Sequence, residues 1–164
     1  MEKRPLLHRD VFLSIVKNAP LVSVDLVCQN DREEVLLGMR MNRPAQGCWF
    51  VPGGRILKDE RVSDALQRII SNELGLKDVA PNDAGLLGVF EHHYTDNFAE
   101  AADVSTHYVV LAYKIVIDKE ATILIDSQHS ELRWFSVSEL LSSDVVHTYT
   151  KAYFDESIKI TRAP

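Results

Sequence analysis

Helical spacing of apolar side chains appears near the start of the chain and stops at a proline. Within residues 8–19 the apolar positions recur at i, i+1, i+4 and i+5, as Val11, Phe12, Ile15 and Val16. That spacing places them on one face of a helix. Pro20 follows and cannot continue a helix. The pattern predicts an amphipathic N-terminal helix over residues 8–19 whose apolar stripe packs against the rest of the chain.

Strand-like runs follow this helix. Residues 21–29 and 33–40 are rich in β-branched and aliphatic side chains, and the polar residues 30–32 separate them. This arrangement predicts a β-hairpin. Asp25 falls inside the first strand, where a charged side chain needs a structural or functional reason.

A second helical pattern lies behind a double glycine. One face of residues 62–74 is apolar and consists of Val62, Ala65, Leu66, Ile69 and Ile70. Gly75 follows and is a good residue for ending a helix, because it adopts the left-handed conformation at low cost. The pattern therefore predicts a helix over residues 62–74 that carries Glu73 in its last turn.

The rest of the chain continues the alternation of strands and helices. Strands are predicted at 85–94, 106–117 and 131–137, and helices at 138–143 and near 148–160. Strands around one helix, followed by further helices, indicate an α/β (α+β) layered domain. At 164 residues, positions 1–164 fit a single domain.

Composition narrows the class of protein. The chain is 46% hydrophobic and 26% charged, and its apolar runs are shorter than the roughly 20 residues that span a membrane. Its net charge of −6 argues against a general nucleic-acid binder, which needs a basic surface. Only two cysteines are present, and no apolar h-region follows the basic N-terminus. We expect a cytoplasmic protein without nucleic-acid or membrane partners.

The segment VPGGRILKDERVSDALQRIISNELGL, residues 51–76, joins the double glycine to the predicted helix. It resembles the box of the Nudix family, G-x5-E-x7-R-E-U-x-E-E-x-G-U, where U is a bulky aliphatic residue. The matching positions are Gly54, Glu60, Arg68, Ile70, Glu73, Gly75 and Leu76. The box usually has glutamates where this chain has Ile69 and Asn72, so two carboxylates of the usual metal-binding helix are absent.

The resemblance implies a Nudix-type α/β/α sandwich with a mixed β-sheet and the metal-site helix packed on it. In such a site, hard oxygen ligands hold Mg²⁺ against the charge of a diphosphate. With Glu73 as the remaining carboxylate, we expect one Mg²⁺ per site, for which Mn²⁺ can substitute. The resemblance implies Gly53, Glu73 and Gln128 as the protein ligands of that ion. Glu60 and Arg68 are expected to pair and brace the junction of loop and helix.

A narrower resemblance extends over most of the chain. The segments PLVSVDLV, NRPAQGCWFVPGGR, HHYTDNF, THYVVLAY and DSQHSELRW are similar, in this order, to the GDP-mannose mannosyl hydrolase branch of the family. The departures at Ile69 and Asn72 belong to that branch's pattern. Enzymes of this branch release GDP and a free sugar by water attack at the anomeric carbon, with inversion, whereas most Nudix enzymes cut at phosphorus.

This resemblance implies roles for individual residues. His129 is expected to be the general base, since imidazole takes protons near neutral pH. Asp25 is expected to stabilise the positive charge that develops on the sugar ring. Arg40, Arg55 and Tyr108 are expected to contact the diphosphate, whose oxygens match guanidinium forks.

Further positions correspond to the family's substrate-binding residues. His92 and Tyr94 are expected to face the sugar or the diphosphate, although an exposed strand end would also explain them. Leu6, Leu7 and Phe12 are expected at the guanine pocket, although an apolar stripe in the core would explain them as well. The resemblance also implies a homodimer, and whether the N-terminal segment reaches the partner's site stays open.

Two other functions remain open on the sequence. One is a Nudix pyrophosphatase that cleaves a nucleoside diphosphate derivative at phosphorus, and the other is a catalytically silent domain that binds a nucleotide. The missing carboxylates argue against the first, and the retained Glu73, Gln128 and His129 argue against the second. The preference among GDP-mannose, GDP-glucose and GDP-fucose also remains open.

Overall fold

The computed structural model describes residues 7–77, 79–118, 121, 123 and 129–158. Its helices are α1 (Arg9–Asn18), α2 (Val62–Leu74), α3 (Val137–Ser142) and α4 (Thr148–Lys151). Its strands are β1 (Leu21–Gln29), β2 (Val35–Arg40), β3 (Trp49–Phe50), β4 (Gly53–Arg55), β5 (Gly85–Tyr94), β6 (Thr106–Val116) and β7 (His129–Phe135). None of the described helices is long and apolar enough to cross a membrane.

The described strands form one mixed sheet in the order β3-β2-β1-β6-β5, with β4 on β1 and β7 on β2. β1 runs parallel to β6 over nine registered pairs, from Leu21 opposite Tyr108 to Gln29 opposite Val116. The other pairings are antiparallel. The mixed sheet with helices agrees with the predicted α/β sandwich.

A wedge opens inside this sheet between β1 and β2. The two strands pair at their hairpin end, Gln29 opposite Val35, and residues 49–55 then occupy the space between them. β3 pairs with β2, and β4 pairs with β1. The N–H of Leu26 donates to the carbonyl of Pro52 at 2.8 Å, which ties this crossing segment to β1. The double glycine is therefore built into the sheet at the mouth of the wedge.

Alternation along β1 separates the two faces of the sheet. Val24, Leu26 and Cys28 are buried in one cluster with the apolar face of α2. Val27 belongs to a second cluster, which includes Leu140 of α3. Since successive side chains of a strand point to opposite faces, Asp25 points away from α2.

Most predicted elements are confirmed. The helix over 62–74 has the predicted bounds, and Gly75 ends it in the left-handed conformation at φ 70°. The N-terminal helix spans Arg9–Asn18 within the predicted 8–19. The strand predicted at 131–137 lies at His129–Phe135, because the side chain of Ser136 caps α3 by accepting from the N–H of Glu139 at 3.2 Å.

The C-terminal helix is shorter than predicted. α4 ends at Lys151, whereas the prediction extended to about 160, and residues 159 and 160 lie outside the described part of the chain. The carboxylate of Asp155 accepts from the N–H and the hydroxyl of Ser157 at 2.9 and 2.6 Å. Such local side-chain bonds offer the backbone a turn in place of a helix.

Candidate active site

The loop between β4 and α2 is braced by the predicted pair of Glu60 and Arg68. Arg68 donates to both carboxylate oxygens of Glu60, at 2.7 and 2.8 Å. The same guanidinium donates to the carbonyl of Arg55 at 2.8 Å, and Glu60 accepts from the N–H of Leu57 at 2.8 Å. A bidentate pair that also holds two backbone groups fixes the loop on the helix.

Both glycines of β4 meet close neighbours. A Cβ at Gly53 would lie 2.6 Å from the carbonyl oxygen of Val24 and 2.8 Å from Oδ1 of Asp25. A Cβ at Gly54 would lie 3.2 Å from the side chain of Ile69 in α2. The double glycine is thus packed against Asp25 on one side and against α2 on the other.

Glu73 of α2 and His129 of β7 form a buried pair. Nδ1 of His129 lies 3.9 Å from the nearer carboxylate oxygen of Glu73, and the two residues are 3% and 7% exposed. The imidazole packs on the backbone of Gly38, where an added Cβ would come within 2.3 Å of the ring. A glycine at 38 is therefore required for His129 to occupy this position. The sequence analysis did not single out Gly38.

This geometry suits a metal ligand. A buried carboxylate needs positive charge nearby to offset its lost hydration. Glu73 is buried on α2 one turn beyond Ile69, the residue that packs against Gly54, and its oxygens are the donor type that Mg²⁺ prefers. The residues present thus fit a divalent ion, and Glu73 is a carboxylate that can contribute to its binding.

The two positions that lack the usual glutamates have different surroundings. Ile69 is buried at 1% exposure in the cluster between α2 and the sheet, and Asn72 is exposed. The first position therefore contributes packing, and the second carries a neutral side chain in solvent. Neither supplies a carboxylate beside Glu73.

Asp25 lies in a second group of polar side chains. It is 7% exposed, and its carboxylate accepts a 2.5 Å hydrogen bond from the hydroxyl of Tyr153. Burial raises the pKa of the Asp25 carboxyl to about 6, against the opposing effects of the Tyr153 hydrogen bond and the Arg40 charge. At neutral pH the group is therefore mostly ionised. Asp25 is therefore a buried carboxylate and does not point to solvent at a strand edge.

Arg40 connects the two groups. It lies opposite His129 in the β2–β7 ladder, next to a register shift, and its charge acts on Asp25. Its Nε donates to the carbonyl of Pro44 at 3.0 Å, and its guanidinium lies 5.9 Å from the ring centre of Phe50. The same charge also lowers the pKa of His147, after the larger effect of burial. The backbone of Arg40 thus pairs with that of His129, while its charge acts on Asp25.

Two buried tyrosines interact electrostatically with Arg40. Burial raises the pKa values of Tyr94 and Tyr108, and both phenols interact with Asp25 and Arg40. Tyr94 and Tyr108 meet edge to face, with ring centres 6.3 Å apart. Both hydroxyls are therefore neutral hydrogen-bond donors at physiological pH.

Arg55 is held by aromatic side chains from elsewhere in the chain. Its guanidinium lies 3.9 Å from the ring centre of Phe12 in α1, and Phe12 contacts Phe98 at 4.7 Å between centres. Burial lowers the pKa of Arg55, while Tyr108 opposes that shift. Phe12 is partly buried at this site, whereas Leu7 is 55% exposed. Leu6 and Gln128 lie outside the described residues.

His92 lies inside an aromatic cluster. It is 2% exposed, and its ring stacks on Tyr149 with centres 4.1 Å apart and planes 2° apart. Its Nε2 lies 3.4 Å from the hydroxyl of Tyr153, and Phe50 meets its ring edge to face. His92 is therefore buried, and the alternative that it lies at an exposed strand end is wrong. The sequence analysis missed Tyr149 and Tyr153, because it predicted only a helix near 148–160 in that segment.

An open cavity of about 660 Å³ adjoins this cluster, with Tyr94, His147 and Tyr149 in its lining. Its volume is within the range of small-ligand sites. Arg43 also lines it, but this cation already pairs with Asp96 at 3.0 Å and Glu100 at 2.8 Å. The cations near Asp25 are therefore better placed than Arg43 to receive a diphosphate.

Comparison with known families decides the class of this protein. The model of the NUDIX domain matches residues 19–155. The chain belongs to the Nudix family. It is 42% identical over 146 residues to the low-salt glycan biosynthesis protein Agl8 of Haloferax volcanii, covering 89% of this chain and 87% of the relative. It is 39% identical over 71 residues to an ADP-ribose pyrophosphatase of Methanocaldococcus jannaschii, covering 43% of this chain and 40% of that one.

Solved structures of Nudix proteins share the fold. The MutT protein of Methanosarcina mazei Go1 superposes with a TM-score of 0.66 at 21% identity, covering 86% of this chain and 94% of its own. The NUDIX domain of Shewanella oneidensis NrtR, solved with ADP ribose, gives 0.62 at 21% identity, covering 93% and 100%. This chain is accordingly a Nudix hydrolase, and enzymes of the family generally use a divalent metal.

The buried His92 predicts acid sensitivity of the fold. Burial lowers the pKa of His92 to about 3, assisted by the charges of His147 and His93. The unfolded chain takes up this proton below pH about 6.5 and the folded chain does not. The free energy of unfolding should therefore fall as the pH drops from about 6.5 towards 3, by on the order of a few kcal/mol for this group.

Thermal unfolding measured between pH 4 and 7 tests this expectation. His92→Gln should flatten the fall in melting temperature towards acid, while His8→Gln, at a side chain 79% exposed, should leave it unchanged. An equal slope for wild type and His92→Gln would exclude His92 as the source.

Proposed function

We propose that this Nudix hydrolase cleaves GDP-mannose, with GDP-glucose as a further substrate, by water attack at the anomeric carbon. The products are then GDP and the free sugar with inverted configuration. The observation that carries the proposal is the composition of α2. In this helix Ile69 is packed into the core and Asn72 is a neutral, exposed side chain. A helix reduced to Glu73 lacks the carboxylate cluster that a pyrophosphatase uses to activate water for attack at phosphorus.

The arginines and tyrosines support an intact diphosphate as the leaving group. Attack at carbon leaves the whole nucleoside diphosphate to depart, so its developing charge must be stabilised. Arg40 and Arg55 supply cations, and Tyr94 and Tyr108 supply neutral donors around them. The proposed Mg²⁺, held by Glu73 with Gly53 and Gln128, supplies further charge neutralisation when bound.

His129 and Asp25 take the two roles at the sugar. His129 accepts the proton of the attacking water, and the carboxylate of Asp25 stabilises positive charge on the ring. Arg40 pairs with His129 in the β2–β7 ladder and its charge acts on Asp25, which supports a diphosphate bound at Arg40 near both residues. Tyr153 holds the Asp25 carboxylate through its hydrogen bond, and so keeps its orientation.

The relative from Haloferax volcanii agrees with a substrate of this class. Its name places it in glycan biosynthesis. Glycans are built from activated sugars, and nucleotide sugars are one class of these. The role in the cell, control of nucleotide-sugar pools for surface polysaccharide, follows from this class of substrate alone. The cytoplasm is the compartment we propose, since both cysteines are free thiols.

A pyrophosphatase acting on a nucleoside diphosphate derivative is the second candidate. It is favoured by the similarity to an ADP-ribose pyrophosphatase over residues that make up 43% of this chain. Incubation with GDP-mannose, GDP-glucose, GDP-fucose and ADP-ribose, followed by chromatography of the products, separates the candidates. GDP plus free sugar supports the proposal, and GMP or AMP plus a sugar phosphate supports the pyrophosphatase. No Mg²⁺-dependent product from any of them favours a silent nucleotide-binding domain.

Asp25→Asn should lower turnover while leaving GDP affinity almost unchanged. The amide keeps the shape of the side chain but removes the negative charge that stabilises the ring in the transition state. Interactions made only in the transition state affect kcat without affecting ground-state binding. Steady-state kinetics with GDP-mannose and titration with GDP measure the two effects. An unaltered kcat would remove Asp25 from this role.

A homodimer formed through α1 is also proposed. Leu7, Val11 and Ile15 recur at i, i+4 and i+8 and are 55%, 51% and 38% exposed. Phe12 and Val16 pack inward on the opposite side of this segment. Sedimentation analysis should show a dimer for the wild type and a monomer for Val11→Glu. A wild-type monomer at micromolar concentration would contradict the proposal.

A further inference from the structure

The outer end of the β5–β6 ladder carries three side chains that are typical metal ligands. His93 lies directly opposite His107, and Glu91 lies two residues before His93, so all three project from one face of the sheet. Their ligand atoms lie within 4.8 Å of one another. Among the described residues, these three form the group of histidine, cysteine or acidic side chains whose ligand atoms lie this close together.

The individual contacts leave the cluster without an internal hydrogen bond at its centre. Nε2 of His107 is 3.6 Å from Oε1 of Glu91, and this distance is too long for a hydrogen bond. That nitrogen is screened from solvent and has no hydrogen-bond partner among the described residues. The rings of His93 and His107 stack with centres 4.2 Å apart and planes 24° apart. A buried nitrogen without a partner is costly, and a bound cation would satisfy it.

We propose that Glu91, His93 and His107 bind a divalent transition metal of the Zn²⁺ class. Two imidazole nitrogens and one carboxylate oxygen are a donor set that Zn²⁺ accepts, with water as a fourth ligand. Imidazole nitrogen favours Zn²⁺, Co²⁺ and Ni²⁺ and disfavours Mg²⁺, which prefers oxygen. His93 is exposed, so the ion enters from solvent and the fourth position stays open to water.

This site is distinct from the one built around Glu73. Its ligands belong to β5 and β6, whereas Glu73 lies on α2. Their neighbours in sequence, His92 and Tyr108, pair with each other and point to the opposite face of the same ladder. The proposal depends on neither the substrate nor the reaction assigned above.

Metal binding here should stabilise the ladder that carries His92 and Tyr108. The ion joins β5 to β6 at the His93–His107 pair, next to the row in which those two residues lie. The backbone of His93 is already held from outside, since Tyr149 Oη donates to its carbonyl at 2.7 Å and accepts from its N–H at 2.9 Å. A ligand that binds only the folded state raises the melting temperature by mass action.

Calorimetric titration of the tag-free full-length protein with Zn²⁺, in excess Mg²⁺, tests the proposal. We expect one equivalent of Zn²⁺ to bind and to raise the melting temperature. His93→Gln and Glu91→Gln should each weaken binding about tenfold or more, since even the residues that support metal ligands are worth that much. His8→Gln removes an exposed histidine that precedes α1 and should bind Zn²⁺ as the wild type does.

Three results would overturn the assignment. The first is Zn²⁺ binding by His93→Gln and Glu91→Gln that equals that of the wild type. The second is a wild type that binds no Zn²⁺ in the presence of excess Mg²⁺. The third is loss of the Zn²⁺ equivalent in Glu73→Gln, which would place the ion at α2. Retention of that equivalent in Glu73→Gln supports a separate site. His93 is exposed, so its substitution tests the site without disturbing the core.

Discussion

Replacing His129 with glutamine should lower kcat by about 10²- to 10⁴-fold, the usual contribution of a general base. The imidazole is 3% exposed and is fitted against Gly38, so it has one defined position from which to accept a proton. Glutamine retains a polar side chain but cannot take up the proton. Because the proposed ligand Glu73 is unchanged, Mg²⁺ affinity should stay within a few-fold of the wild type.

The two measurements for this variant are kcat with GDP-mannose and Mg²⁺ affinity by calorimetry. His8→Gln serves as the matched control, since it removes a histidine whose side chain is 79% exposed, and it should keep full activity. A His129→Gln enzyme with nearly wild-type kcat would show that another group accepts the proton. An equal loss of activity and metal affinity would reassign His129 to the metal.

Glu73→Gln should weaken Mg²⁺ binding and activity together. Among the described residues, Glu73 is the carboxylate of the proposed ligand set, so the amide removes its one negative charge. Loss of the ion's contribution costs several kcal/mol of transition-state stabilisation, or about 10²-fold or more in rate. Raising the Mg²⁺ concentration should restore part of the lost rate, because the defect is in binding the ion.

Asp64→Asn is the matched control for this variant, since Asp64 is exposed in the first turn of the same helix. It should leave Mg²⁺ affinity and kcat unchanged. Circular dichroism should show that both variants are folded. Equal Mg²⁺ affinity for wild type and Glu73→Gln would remove Glu73 from the ligand set.

Local features of the site could be predicted from the sequence because short-range spacing sets them. The bounds of α2 follow from the apolar periodicity and from Gly75, which ends the helix at φ 70°. The Glu60–Arg68 pair follows from the spacing of the family motif, and its geometry is bidentate. In these cases the residues that interact are close together in the sequence, as Glu60 and Arg68 are.

Features that depend on packing between distant segments could not be predicted. Tyr153 hydrogen-bonds to Asp25 across 128 residues of sequence, and Tyr149 stacks on His92. Both tyrosines lie in or next to α4, in a segment for which the sequence predicted only a helix. Gly38 looked like an ordinary strand residue, since the ring that fills its place comes from β7.

The shortest elements were missed for a related reason. β3 and β4 contain two and three residues, too few to show a period of alternation. Their position depends on the divergence of β1 and β2, which opens the wedge for residues 49–55. The wedge in turn places the double glycine of β4 between Asp25 and α2, and so decides the arrangement of the site.

The most direct test of the proposed reaction is to determine which atom of the substrate the water attacks. The purified protein is incubated with GDP-mannose and Mg²⁺ in ¹⁸O-labelled water, and the products are analysed by mass spectrometry as soon as they form. Attack at carbon predicts label in free mannose and none in GDP. Label in GMP or in mannose 1-phosphate would mean attack at phosphorus and would contradict the proposed reaction.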